Sequence, residues 1–214
     1  MKISRRKFIK TGLAATGGDG SGCASEDNPG SGGSGNITGP GNTTNVNDKN
    51  NDGYIDCYKN TIMRSNGLFI NSGRNDIRQR EDRTTYVHEA WDITGSGVDG
   101  TTVYATASGE VIDVSVQTTT EVDTETGQKM TFISGWGYYV KIKDNAGKIW
   151  IYAHLNGQAG NPAGIGLKLG TKVVAGLTPI GLGDSSGNSS GSPLHLEVRA
   201  NSVKTCPDQV IGNC

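Results

Sequence analysis

The chain has 214 residues, a formal net charge of −1 and 33 glycines. Only 33% of its residues are hydrophobic, and no apolar run approaches the ~20 residues of a transmembrane helix. The near-neutral charge, with no basic block beyond the first ten residues, excludes the electrostatic signature of a nucleic-acid-binding protein. Core-forming residues concentrate between positions 103 and 198, which predicts one compact domain in the second half.

The first residues resemble an export signal of the twin-arginine type. Residues 5–10 carry paired arginines followed by phenylalanine and lysine, and residues 11–16 continue as a mildly apolar stretch. That stretch is shorter than the ~7–15 residues usual in signal peptides, so the alternative is the basic start of a cytosolic helix. The resemblance implies that residues 1–23 direct export and that the protein is periplasmic or on the cell surface.

Four cysteines bear on anchoring and redox state. Cys23 resembles the acylated cysteine of bacterial lipoproteins, although Gly20 stands where that motif has leucine, and the resemblance implies a lipid anchor to the membrane. An exported protein is expected to pair two of the other three cysteines. The sequence leaves open whether Cys206 joins Cys214 within the tail 201–214 or Cys57 joins one of them.

A polar arm separates the signal from the domain. Residues 24–47 are mostly Gly, Ser, Asn and Thr, which predicts a disordered tether. The lead-in segment 48–85 begins with oxygen-bearing side chains spaced as in an EF-hand calcium loop, at Asp48, Asn50, Asp52 and Asp56. Lys59 occupies the twelfth position, where calcium needs a bidentate glutamate. The alternatives are a weak Ca²⁺ site and a polar turn.

From residue 86 to residue 200 the pattern is that of strands joined by Gly-rich turns, and no amphipathic helix of any length is present. The sequence Asp-Asn-Ala-Gly at 144–147, between two apolar runs, predicts a hairpin. Strands are predicted at 103–105, 110–116, 138–143, 148–154, 171–174, 179–182 and 194–198. The predicted fold class is therefore mostly β, an antiparallel sheet domain with Gly-rich loops behind a disordered arm.

The last predicted strand alternates in character. Its apolar residues Leu194, Leu196 and Val198 share one face, and the polar residues His195, Glu197 and Arg199 share the other. A histidine that projects from a strand just after a flexible loop suits a metal or proton-transfer site. Glu197 either supports His195 from behind or is a surface charge paired with Arg199.

The chain contains two further histidines, His88 and His154. His88 and Asp92 lie four residues apart, so on one extended segment both side chains point the same way and can reach one ion. His195 would supply a third ligand, and three such ligands with an open fourth position make a catalytic Zn²⁺ site. His154 ends a predicted strand and is left as a general acid or base.

Five segments, in order, resemble the LytM/lysostaphin-type zinc metallopeptidases, which cut peptide cross-bridges of bacterial cell walls. They are His-Glu-Ala-Trp-Asp at 88–92, residues 100–111, Tyr-Ala-His-Leu at 152–155, residues 169–181 and residues 187–197. The resemblance implies a LytM-like, duplicated-hybrid-motif-like β domain over residues 86–200. It also implies zinc on His88, Asp92 and His195, catalysis by His154 and peptidoglycan peptides as substrate. We expect the protein to be a monomer.

Two positions depart from the pattern of that family. Ala90 replaces a glycine, which is a modest change, whereas Pro193 replaces the first histidine of a His-x-His pair that has a catalytic role. Ser192 or Tyr138 could supply a replacement proton donor. Three hypotheses follow: an active endopeptidase, a catalytically impaired member that binds the wall or regulates, and a metal-free fold with a carbohydrate or peptide groove.

Overall fold

The computed structural model describes residues 52–55, 62, 69–72, 76–79, 83–88, 90–95, 98–189, 191, 194–205, 207 and 211. These residues form twelve strands and no α-helix. The strands are β1 Phe69–Ser72, β2 Asp76–Gln79, β3 Thr85–His88, β4 Trp91–Thr94, β5 Thr102–Tyr104, β6 Gly109–Val122, β7 Lys129–Asp144, β8 Ile149–Leu155, β9 Lys172–Val173, β10 Pro179–Leu182, β11 Leu194–Ala200 and β12 Val203–Thr205. Within the part described, no helix is long and apolar enough to cross a membrane.

One eight-stranded sheet organises the domain. Its order is β1-β4-β11-β8-β7-β6-β9, and β12 also pairs with β11. Two small sheets, β10-β5 and β2-β3, complete the described strands, and every pairing is antiparallel. The predicted fold class is confirmed. The signal, the tether and the four cysteines lie outside the described residues, so the predictions made for them stay predictions.

The alternation of strand residues divides the large sheet into a core face and a site face. On β11, the apolar set Leu194, Leu196 and Val198 is fully buried in the hydrophobic core. Trp150 and Tyr152 of β8 lie directly opposite Val198 and Leu196, so they extend the same core face. His195 must therefore project from the other side of the sheet.

The hairpin at 144–147 forms as its sequence indicates. Asp144 N–H donates to the Lys148 carbonyl at 2.9 Å, and Gly147 N–H donates to the Asp144 carbonyl at 3.0 Å. Gly147 has a φ of +85°, a conformation that glycine adopts without steric cost. The turn sets the register of β7 on β8, and β8 in turn holds β11.

The buried carboxylate of Asp144 ties this hairpin to the lead-in segment. Its Oδ2 accepts hydrogen bonds from Trp150 Nε1 at 2.9 Å and from Tyr54 Oη at 3.0 Å, while Oδ1 accepts from Lys148 N–H at 2.8 Å. Burial, followed by the negative charge of Asp144, raises the pKa of the Tyr54 phenol, which therefore stays protonated as a donor.

Of the four predicted calcium ligands, only Asp52 lies within the described residues; Asp48, Asn50 and Asp56 lie outside them. Asp52 Oδ1 accepts a hydrogen bond from Tyr54 N–H at 2.9 Å, the geometry of a polar turn closed by its own aspartate. The structure thus lends no support to calcium and shows a turn that delivers Tyr54 to Asp144.

Replacing Asp144 with alanine is expected to lower the free energy of unfolding by about 2–3 kcal/mol, because it leaves buried donors, including Trp150 Nε1, without an acceptor. Asp113 is the control: its side chain is 33% exposed, pairs with Lys141 at 3.0 Å and accepts a hydrogen bond from Tyr139 Oη at 3.1 Å, and because water can replace both partners its loss should cost about 1 kcal/mol or less. Denaturant unfolding of both variants measures the difference. Equal losses would contradict the structural role given to Asp144.

Candidate metal centre

Three neighbouring strands bring the predicted ligands together. His88 ends β3, Asp92 lies in β4, and His195 lies in β11 directly opposite Asp92. All three side chains are buried. The prediction that His88 and Asp92 share one extended segment was wrong, because the chain breaks into two strands around Ala90 and β3 and β4 belong to different sheets.

The ligand atoms of these three residues lie within 4.8 Å of one another. His88 Nε2 is 3.4 Å from His195 Nδ1 and 3.5 Å from Asp92 Oδ1. Atoms bound about 2.0–2.2 Å from a tetrahedral zinc ion are roughly 3.3–3.6 Å apart, so these two separations suit zinc. The third, 2.9 Å between His195 Nδ1 and Asp92 Oδ1, is a hydrogen bond whose proton would leave on metal binding.

The other ring nitrogen of His195 faces a carboxylate. His195 Nε2 is buried, makes no hydrogen bond within 3.5 Å and lies 3.6 Å from Glu197 Oε2. Glu197 is itself buried and forms ion pairs with Arg199 and with Lys204, the latter at 3.1 Å. The interpretation of Glu197 as support for His195 agrees with this arrangement, whereas the alternative of a surface charge was wrong, because Glu197 is buried even though it pairs with Arg199. A carboxylate behind Nε2 favours the tautomer that presents Nδ1 to a metal.

His154 lies beside the cluster and is not one of its three ligand atoms. Its ring centroid is 5.8 Å from that of His195, at an interplanar angle of 74°. Nδ1 donates a hydrogen bond of 2.7 Å to the Ser186 carbonyl, so Nδ1 carries the proton and Nε2 keeps its lone pair. His154 also has a φ of +62°, an uncommon conformation for a residue with a side chain and one that concentrates at functional sites.

The charges of the site follow from burial and contact. Burial opposes ionisation of Asp92, but hydrogen bonding and positive charge from His195, together with His88 and Arg78, lower the pKa of its carboxyl well below its usual range. Burial likewise opposes protonation of His195, yet its contacts with Asp92 and Glu197 raise its pKa. Burial lowers the pKa of His154, which favours the neutral form that can accept a proton.

Arg78 is the residue that the sequence did not reveal. Its Nη2 lies 2.5 Å from Asp92 Oδ2, the carboxylate oxygen that does not face His195. Arg78 belongs to β2, in a charged segment without a motif, and only the pairing of β2 with β3 brings it to the site. No spacing rule links it to Asp92, so no sequence signal could have identified it.

Of the two proposed replacement donors, Tyr138 packs against the hydrophobic core, and its backbone N–H bonds to Ser186 Oγ at 3.0 Å. Neither contact involves the phenol oxygen, so the donor role of Tyr138 stays a prediction. Ser192 and Pro193 lie outside the described residues.

Comparison with known proteins supplies a family. Residues 86–207 match the sequence model of peptidase family M23, which is more than half of the chain. The match includes all four residues of the centre and excludes Arg78. A comparison with curated proteins found no significant match.

Two solved structures with TM-scores of 0.50 and 0.51 show a similar fold at low identity. The chain is similar to a zinc-containing peptidase from Vibrio cholerae, with a TM-score of 0.50 and 23% identity over 69% of this chain and 38% of that one. It is similar to a mutant catalytic domain of the prophage-encoded M23 protein EnpA from Enterococcus faecalis (TM-score 0.48, 24% identity, 67% and 92% covered). It is also similar to a chain of the SpoIIQ–SpoIIIAH pore-forming complex (TM-score 0.51, 16% identity, 71% and 88% covered). Because a chain of a pore-forming complex has a similar fold, the fold alone does not determine activity.

Proposed function

The chain belongs to peptidase family M23, and from that premise we propose that it is a zinc-dependent endopeptidase that cleaves peptide cross-links of peptidoglycan. Peptidases of this family act on peptidoglycan, which sets the class of substrate. The observation that carries the proposal is the convergence of His88, Asp92 and His195 within 4.8 Å, with His154 beside them.

The residues divide into ligands and a proton acceptor. His88 Nε2, Asp92 Oδ1 and His195 Nδ1 would hold zinc and leave a fourth position open. Zinc in such a site supplies a nucleophile at neutral pH and polarises the carbonyl that is attacked. His154 Nε2, neutral and held in place by the bond from Nδ1 to Ser186, would accept the proton of the attacking water.

The proposed substrate also implies a location in the cell. Peptidoglycan lies outside the cytoplasm, so we propose that residues 1–23 direct export, that residues 24–47 act as a tether, and that Cys23 carries lipid. Mass spectrometry of the protein purified from membranes of an expressing bacterium would show acylation at Cys23, and a Cys23→Ala variant should lose both the lipid and membrane association.

Pro193 is the reason for an alternative form of this function, in which turnover is slow. In the family pattern a histidine stands at that position, and proline offers neither a donor nor a base. One donor to the transition state is typically worth about 10²–10³ in rate. A member with this deficit could serve mainly as a wall-binding or regulatory module.

Restoring the histidine by Pro193→His is therefore expected to raise the rate of peptide-bond cleavage by about 10²–10³ at unchanged zinc content. The matched control is Pro193→Asn, which also removes the proline ring but adds no imidazole. Rates that rise equally in both variants would show that release of the backbone, rather than the added imidazole, limits turnover. No increase in either would show that the chain does not need a second histidine.

Digestion of purified peptidoglycan tests the proposed function. Endopeptidase activity releases new amino groups without new reducing sugar ends, is lost on treatment with a chelator and returns with added zinc. Zinc binding without any release of amino groups, under conditions in which the Pro193→His variant is active, would favour the impaired variant. Release of reducing ends would contradict the assignment as a peptidase.

A further inference from the structure

The strand that carries Arg78 lies outside the family-matched region yet reaches into the site. β2 pairs with β3 so that Arg78 lies opposite Tyr86 and Asp76 lies opposite His88. The matched region begins at residue 86, within β3. In the β2–β3 pair, His88 therefore lies in the strand that the family match includes, and Arg78 lies in the strand that it excludes.

The two oxygens of Asp92 have separate partners. Oδ1 lies 2.9 Å from His195 Nδ1 and 3.5 Å from His88 Nε2, so it faces the position that a metal would take. Oδ2 lies 2.5 Å from Arg78 Nη2. The side chain of Asp92 is 10% exposed and that of Arg78 is 35% exposed, so the contact is part-buried, with Asp92 on the shielded side.

We propose that Arg78 is a positioning residue of the metal centre, which holds Asp92 Oδ2 so that the carboxylate binds the ion through Oδ1 alone. This inference rests on the proposed zinc site. A carboxylate can bind a metal through one oxygen or two, and a second oxygen would occupy the position that a catalytic site leaves open. A guanidinium is always charged and planar, so its hold on Oδ2 fixes the rotation of the carboxylate.

The geometry also predicts which substitutions matter. Loss of a partner that orients a ligand typically costs 10–100-fold in metal affinity or activity. Arg78→Met keeps an unbranched side chain and much of its bulk, although it is shorter, and removes the charge and the donors. Arg78→Lys keeps the charge but loses the planar fork, so an intermediate effect is expected. Gln79→Ala is the matched control on the same strand, because Gln79 is exposed and bonds only weakly, at 3.3 Å, to the Arg83 carbonyl.

The experiment measures zinc affinity of the full-length chain by competition with a chromophoric chelator. Wild type and Gln79→Ala should bind zinc with the same Kd. Arg78→Lys should have a higher Kd, and Arg78→Met a Kd about 10–100-fold higher than that of the wild type. Thermal unfolding in excess chelator checks that the variants fold. If Arg78→Met does not fold, Arg78→Lys decides the question. Equal zinc affinity of wild type and both Arg78 variants would overturn the proposal.

A second variant set tests whether Arg78 acts through Asp92. In an Asp92→Glu background, which keeps a carboxylate ligand but changes its position relative to Arg78, Arg78→Met should cause little further loss of zinc affinity. The visible spectrum of the cobalt(II)-substituted protein gives an independent readout, since absorption weakens as coordination number rises, and Arg78→Met should weaken it. Additive losses in the double variant would overturn the proposal. A wild type that binds no zinc would overturn the proposed function itself, and this inference with it.

Discussion

Replacement of His195 with alanine is expected to abolish stable zinc binding and to reduce peptidoglycan cleavage to background. His195 lies between Asp92, at 2.9 Å, and Glu197, at 3.6 Å. Its removal takes away one ligand and leaves Glu197 without contact with the metal ligands. A structural zinc site with four ligands binds zinc with a free energy of about 10–16 kcal/mol, or roughly 3 kcal/mol for each ligand. Removal of one ligand should therefore raise the Kd for zinc about 10²–10³-fold.

Zinc-dependent thermal stabilisation measures this effect without reference to activity. A ligand at 100 times its Kd stabilises the folded state by about 2.7 kcal/mol, so zinc should raise the Tm of the wild type and leave that of His195→Ala unchanged. Lys172→Ala is the control, since its ammonium pairs with Glu110 at the exposed edge strand β9. A His195→Ala variant that zinc stabilises as strongly as the wild type would remove His195 from the ligand set.

Replacement of His154 is also expected to abolish turnover but, unlike replacement of His195, to leave zinc binding intact. A positioned acid or base typically contributes 10²–10⁴-fold to the rate, and His154 is the described histidine outside the ligand set. His154→Asn is the informative substitution, because asparagine tolerates the positive φ of +62° better than other side chains but cannot accept a proton at neutral pH.

Two measurements together assign this role. Zinc content of His154→Asn should equal that of the wild type, and kcat for a cross-link peptide should fall by about 10²–10⁴ with a smaller change in KM. Ser186→Ala tests the support of the ring while keeping the carbonyl that accepts from Nδ1, so its effect on kcat should be small. Loss of zinc from His154→Asn would place His154 among the ligands and contradict the role given to it.

Sequence periodicity predicted the long strands of the sheet and the alternation of their faces. The alternation at 194–199 predicted that Leu194 and Leu196 share one face and His195 and Glu197 the other, and the structure buries both sets. Such predictions succeed because the side-chain period of a strand is fixed at two and the core selects one phase of it. The short strands β1, β2 and β12 lacked an alternating apolar pattern and were not predicted as separate strands.

The site was harder to predict, because it depends on contacts between distant segments. The residues His88, Asp92, His154 and His195 were identified through a family resemblance, and the structure brings them together. The break around Ala90 was missed because a spacing of four residues is equally compatible with one strand and with two. Arg78 carries no motif at all, and only the register of β2 on β3 relates it to Asp92.

Zinc content of the purified full-length protein tests the central claim most directly. After incubation with zinc and exhaustive dialysis, elemental analysis should find one equivalent of zinc for each chain. X-ray absorption at the zinc edge should show nitrogen and oxygen neighbours at about 2.0–2.2 Å and no sulfur. Less than a tenth of an equivalent, or a shell that contains sulfur, would contradict a zinc site built from His88, Asp92 and His195.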